Sequence, residues 1–510
     1  MKNPRLPLDI VLALRRSFSR AFALFFLALL ATTHTAFSGS ATWNLNPASN
    51  DWNTAQNWTP ETVPDQTTDV ATFDVSNVTN VNITSPGGVG IGGITFSPGA
   101  SPYFFGGSAI AFFGAGVINN SGITQNISAG IEYGFGGNAT AGTGMIYTSD
   151  GSELDPVGFA GSSNAGTATF IMKGNSGGQA LALLQFLDTS SSASSRVVLE
   201  AGDPGGRTEF LDNSTANNST ITVESGAVLD FEDDATGGAA TLMVDGGIIY
   251  FQIRSDGQQA RVALTNGGVL NLNGHDPAAS MSIGSLEGDS SGVVRLGQGP
   301  LSVGGNGLST TFNGEIFQGG SLLKTGSERL ILTGANTYGG GTTITGGTLL
   351  AQARTGSATS NGPVQVNAGT LGGWGTIAGA VTVGTGSGSG AFLSPGATGP
   401  AHFAIAKTLT FKADGKYKCE LNLSAHGRAD QVSANGVTIE TGAQFAFRAK
   451  GNHTLPPGTI FTVINITATT PISGTFANLA DGSTITAGSN TLQASYEGGD
   501  GNDLTLTVVP

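Results

Sequence analysis

Cysteine is nearly absent: Cys419 is the single thiol in 510 residues. One thiol excludes an intramolecular disulfide and any metal site built on cysteine. Charge is also scarce, at 11% of residues against roughly a quarter in an ordinary globular chain. Long surface helices need charged or long polar side chains on their wet face, so a helical protein is disfavoured. The few charges are mostly acidic, 35 Asp and Glu against 21 Lys and Arg, for a formal net charge of -14. No basic stripe runs along the sequence, and an acidic surface repels phosphate. Nucleic acid and anionic membrane surfaces are therefore not expected partners.

Glycine is what the chain has in excess, with 80 residues, yet it follows no strict three-residue period, which excludes collagen. Apolar residues make up 39% and fall in short Val, Ile, Leu and Phe runs, which argues against disorder. An all-β chain rich in Gly, Thr, Ser and Asn remains.

The N-terminus reads as an export leader. Lys2, Arg5, Arg15, Arg16 and Arg20 precede the apolar run 21–31, and Ala36-Phe-Ser38 follows as a small-residue cleavage site. The run is shorter than the roughly 20 residues needed to cross a bilayer. No later segment reaches that length, so no transmembrane span is expected after cleavage.

Self-similarity carries the fold. One template, an alternating strand, a polar residue, glycine, a small residue and a second alternating strand, fits Ile221–Phe231, Leu242–Phe251 and Val262–Leu272. It returns at Thr343–Leu350, Val364–Leu371 and Val437–Phe447. Successive template glycines (Gly226, Gly246 and Gly267; Gly346 and Gly369) lie about 20 to 23 residues apart. That length suits one turn of a parallel β-helix, which buries its apolar face only by stacking on its neighbours. A β-sandwich or an array of small β domains also gives short, evenly spaced strands; the absence of domain-like linkers favours the solenoid. Val223, Val244 and Leu264 are expected to point inward on equivalent rungs, and Thr265 outward. On that register Leu264→Asp should be strongly destabilising and Thr265→Asp should cost little.

The run Leu322-Leu-Lys-Thr-Gly326, followed by Leu330-Ile-Leu-Thr-Gly-Ala-Asn-Thr-Tyr338 and Thr345-Gly-Gly-Thr-Leu349, resembles the autotransporter-associated β-strand repeat, also called the passenger-associated transport repeat. Gly369–Val383 with Leu393-Ser-Pro-Gly396 resembles the segment that commonly follows it. The resemblance is sharp over 320–400 and one of style over 41–100 and 425–510. It implies an all-β, right-handed parallel β-helix (a solenoid, pectin-lyase-like or autotransporter-passenger-like) belonging to a secreted surface or adhesin-like protein. Autotransporters end in a membrane β-barrel, which residues 401–510 are not expected to form. The expected organisation is a signal peptide over 1–38, an N-terminal β segment and cap over 39–115, the β-helix over 116–400 with the passenger-type repeat at about 320–350, and a C-terminal β-rich segment over 401–510.

Candidate chemistry is sparse. Trp43, Trp52 and Trp58 are either a platform for stacking sugars or a cap over the open end of the solenoid, with the cap favoured because every solenoid needs one. Gly498–Leu506 matches the nonapeptide calcium signature G-G-x-G-x-D-x-U-x, nominating Asp500 and Asp503 as calcium ligands. It occurs once, and a tight turn before a final strand is the preferred reading; no other cofactor is expected. Glu232-Asp-Asp234, near Asp230, reads as a solvated acidic turn. His275, His402, His426 and His453 have no metal-ligand spacing. Gly386-Ser-Gly-Ser-Gly390 is low-complexity sequence with no strand-to-helix elbow around it. Cys419 alternates with Tyr417 and Leu421 and reads as a buried strand residue. No catalytic set converges. The expected function is an exported, non-catalytic surface or extracellular protein, adhesin-like or structural, whose partners are extracellular glycans or cell-surface components. The alternative is a polysaccharide-binding or polysaccharide-degrading protein on the same scaffold. N-terminal sequencing of the exported protein should begin between Ala36 and Ala41; a mature chain starting at Met1 would contradict the leader.

Overall fold

Short alternating runs make strands of only a few residues, each too small to hold a core alone. The computed structural model describes residues 39–127, 131–151, 156–174, 182–396, 399–424 and 427–510. The expected export leader and His426 lie outside them. Among the described residues helix is confined to one 3-10 turn, Ala55–Asn57. The fold is a parallel β-solenoid of about 14 turns. It divides into two compact units, residues 1–241 with 247–249, and residues 242–246 with 250–510.

In the first unit one parallel sheet runs through Ala41–Trp43, Val70–Phe73, Val89–Phe96, Ala109–Asn119, Glu132–Phe135, Val157–Phe159, Leu183–Phe186, Arg207–Phe210 and Val228–Phe231. A second contains Gln125–Ile127, Met145–Ser149, Thr169–Met172, Arg196–Leu199 and Thr220–Glu224. The third line of contact is a ladder of single parallel bridges, Gly116 to Thr140, Asn164, Ser191, Thr215 and Thr236. Parallel pairing places like side chains above one another. Phe112, Phe135, Phe159, Phe186, Phe210 and Phe231 form a continuous ladder with ring centroids 4.6–4.9 Å apart. That spacing equals the separation of hydrogen-bonded strands, so backbone pairing itself stacks the rings.

Glycine was expected at the corners, and at some it is required. Gly226 has φ +80°, and a Cβ there would lie 2.0 Å from the carbonyl oxygen of Gly202. Elsewhere aspartate replaces it: Asp188, Asp212 and Asp233 take φ of 55°, 55° and 53°. Asp tolerates the left-handed region because its short carboxylate bonds locally. The Asp188 carboxylate accepts the Gly161 amide (2.8 Å), and that of Asp212 accepts the Asp188 amide (3.1 Å). Asp188 and Asp212 thus tie their corners to the preceding turn.

The second unit gains a third full sheet, which begins at Met281–Ile283 and Pro300–Val303 and continues through Ser321–Lys324, Thr342–Ile344, Val364–Val366, Val381–Val383, His402–Phe411 and Gln431–Ile439. Strands lengthen toward the end of the unit: His402–Phe411 of this sheet has ten residues and Gly415–Asn422 of the second sheet eight. Ile460–Ile466 adds one more parallel pairing, with Gln431–Ile439, before the winding stops. Ile460–Ile466, Asp503–Val509, Asn490–Gly498 and Thr484–Ala487 pair antiparallel as a meander.

The inward rungs lie where the template put them. Val223, Val244 and Leu264 have no exposed surface. Thr265 is half-buried and points out, but its hydroxyl donates to the Asp245 carboxylate at 3.0 Å. An aspartate at 265 would set two carboxylates together, so it is not the harmless change that alternation alone implied. Thr265→Asn keeps a donor for Asp245 and should stay within about 0.5 kcal/mol of the parent. Leu264→Asp buries an unpaired carboxylate and should be strongly destabilising. Phe186→Ala, which opens a gap in the ring ladder, should cost about 3–5 kcal/mol. Denaturant unfolding checks all three; equal midpoints for Leu264→Asp and Thr265→Asn would contradict the register.

Candidate functional site

The three N-terminal tryptophans have no face for a sugar. Trp43, Trp52 and Trp58 are buried, with Trp58 edge-on to both other indoles at 5.0 and 4.9 Å and all three rings within 6.1 Å of Phe73. Their indole N–H groups donate to the carbonyls of Val78, Pro64 and Trp52. The platform reading is therefore corrected: the rings are packed and their polar edges satisfied. Trp58–Thr59 pairs antiparallel with Ala41–Trp43 at the edge of the first sheet, as expected of a cap.

The calcium-like nonapeptide forms the hairpin between Asn490–Gly498 and Asp503–Val509. Asp503 is buried and its carboxylate accepts the Ile466 amide at 2.8 Å. Asp500 is exposed at the tip. In a β-roll, adjacent parallel turns repeat the loop and share the ion; an antiparallel hairpin offers no such neighbour. Among the described residues no group of three or more His, Cys, Asp or Glu is placed to hold a metal ion.

The acidic turn holds one surprise. Asp230 is not solvated: its side chain is fully buried against the Arg207 guanidinium at 2.8 Å. Arg207 also bonds Glu209 at 2.5 Å, and Glu209 accepts Gln185 at 2.7 Å. Burial works against the Arg207 charge, but Glu209 and Asp230 outweigh it and hold its pKa above the usual value. Parallel register assembles this group from three turns, so no local motif announces it. Among the described residues the histidines do not converge. His275 sits at a corner with its ring nitrogens 3.0 Å from the carbonyl oxygens of Asp276 and Ser255, whereas His402 lies 2.5 Å from the Ser433 hydroxyl.

The passenger-type repeat turns out to be an interlock between turns. Asn336 is buried, accepts the Ile316 amide at 2.8 Å and donates to the Ala358 carbonyl at 2.6 Å. One side chain therefore joins the turn before it to the turn after it. Tyr338 is buried and its hydroxyl lies 2.6 Å from that of Thr342. Lys324 takes an inward position in register with Val303 and Ile344, and its ammonium donates to the Thr325 carbonyl. Burial lowers its pKa.

A concave surface lies at the strands Ala391–Pro395, Gly415–Asn422 and Gln444–Lys450. A cleft of about 450 Å³ is lined by Lys418, Glu420, Asp430, Phe447 and Arg448, among others. Asp430 is committed to the backbone: its oxygens accept the Ala401 and Glu420 amides, both at 2.9 Å. Glu420 differs, since its Oε1 is buried without a partner. Cys419 is buried on the other side of its strand, as alternation required, and burial pushes its thiol far up. The linear sequence shows no basic stripe, yet the register gathers Lys416, Lys418, Arg448 and Lys450 onto these two strands.

With this geometry in hand, comparison with known proteins places the repeat. Residues 322–351 match the passenger-associated-transport-repeat family. A further match is to the Adhesin BmaC autotransporter of Brucella suis biovar 1 (strain 1330), 40% identical over 118 residues. It covers 21% of this chain and 3% of that protein's length.

Burial raises the Asp430 pKa to about 6, with the two amides opposing and Glu420 assisting. A carboxyl whose folded value lies above its ordinary value near 4 favours folding in its neutral form. That contribution is fully present below about pH 4 and is lost as pH rises through 6. A carbon-detected NMR titration of the Asp430 carboxyl should give a midpoint near 6; a midpoint near 4 would contradict the assigned burial.

Proposed function

We propose that this chain is an exported, adhesin-like β-solenoid of the autotransporter-passenger type, displayed outside the cell and acting by attachment. The observation that carries this reading is the passenger-associated transport repeat at 322–351, whose Asn336 and Tyr338 are built into the stacking of turns. Similarity of part of the chain to a bacterial autotransporter adhesin supports it. So does the leader-like N-terminus. A stack of short turns suits that task, because its length scales with repeat number and its outward residues are not needed by the core.

Attachment requires binding without turnover. The carboxylates of the cleft favour this: Asp430 is occupied by two amides, which leaves Glu420 without the free acidic partner that glycoside hydrolysis uses. The purified protein should release no reducing or unsaturated ends from polysaccharides. In the cell, antibody against the solenoid should label intact, unpermeabilised cells, and deletion of the gene should reduce attachment to surfaces or host cells. Label confined to the cytoplasm, or attachment unchanged by the deletion, would overturn the reading.

A further inference from the structure

We propose that the outer face of Gly415–Asn422 and Gln444–Lys450 is a binding site for a linear acidic polysaccharide, recognised through its uronate carboxylates. Alternation along Gly415–Asn422 buries Tyr417, Cys419 and Leu421 and leaves Lys416, Lys418 and Glu420 on the outer face. The neighbouring strand pairs in parallel, with Glu420 opposite Arg448. On the other side, Phe392 pairs with Lys416. The Lys418 ammonium lies 3.5 Å from the Phe392 ring centroid and that of Lys416 5.6 Å. Two ammoniums thus share one ring, which draws them together although they repel each other. Among the described residues Lys416, Lys418 and Arg448 form no ion pair, whereas Lys412 is matched by Glu440 at 2.6 Å. The Glu420 and Asp430 carboxylates share the cleft with Lys418 and Arg448 but form no ion pair with them.

The cleft beside these cations narrows the chemistry of the ligand. Its volume, about 450 Å³, falls in the range of small-ligand sites. Phe447, in register with Cys419 on the face opposite Lys418 and Arg448, is half-buried and supplies apolar lining to the cleft. The unpartnered Glu420 oxygen is an acceptor suited to a hydroxyl donor. A uronic acid presents carboxylate, hydroxyl and apolar ring face within one residue. A phosphate backbone or a densely sulfated chain brings negative charge to Glu420 and no compensating donor, and the overall acidity repels it. The inference adds a ligand class to the attachment reading and stands whether or not the cell uses this protein to attach.

The test is calorimetric titration of the full mature protein with oligogalacturonate, neutral dextran oligomers, dextran sulfate and anionic phospholipid vesicles. Oligogalacturonate should bind and dextran should not. The double variant Lys418→Ala with Arg448→Ala should lose roughly tenfold or more in affinity, as expected when charge-assisted bonds are removed. Lys412→Ala, which removes a paired cation outside the cleft, should leave affinity within about twofold of the parent; thermal unfolding of each variant checks that the stack is intact. Oligogalacturonate binding no better than dextran would overturn the proposal even if the variants failed to fold. Equal binding of dextran sulfate or vesicles would also overturn it, because net attraction would then suffice. So would equal losses in the double variant and Lys412→Ala.

Discussion

Everything in this molecule depends on turn-upon-turn backbone pairing. A parallel ladder fixes the strand separation near 4.8 Å and brings each residue beside its counterpart one turn away. The interior must then be made of columns of similar shape. The Phe112-to-Phe231 column and the aspartate corners at 188, 212 and 233 are two expressions of that constraint. Asn336 is a third, a side chain that replaces missing backbone pairing and spans both neighbours.

The same constraint explains which features were legible in the sequence. Val223, Val244 and Leu264 fall at nearly fixed offsets from a glycine, so alternation alone put them inside. Cys419 followed by the same logic. The phenylalanine column escaped notice because the stretches between its members vary in length, which blurs a glycine-anchored period while leaving the register of the strands intact. At Asp188 and Asp212 the corner residue is not glycine at all, which hides the repeat further.

The outer surface was less legible, for a different physical reason. Arg207 with Asp230, and Lys418 with Arg448, are neighbours only across turns, so their spacing depends on loop lengths that the sequence pattern does not encode. The tryptophans and the Gly498–Leu506 motif were open to two readings each. Residue types that suit a sugar platform or a calcium loop also suit a packed cap and a tight hairpin, and the choice rests on neighbours far along the chain. Function on such a scaffold is written on positions that the core leaves free. The cleft lies where strands lengthen from three or four residues to five, eight and seven, which widens the sheet face.

Cysteine pairing reads the register of successive turns most directly. Val198 and Thr222 are outward, half-buried partners on adjacent parallel strands. Adjacent strands hold paired Cα atoms near 4.8 Å, inside the range a disulfide spans, whereas a two-residue slip carries them beyond it. With Cys419 replaced by Ser, the pair Val198→Cys and Thr222→Cys should cross-link almost completely under mild oxidation, and Val198→Cys with Thr220→Cys should not. Equal cross-linking of both pairs, or preference for the second, would contradict the stacked-turn account.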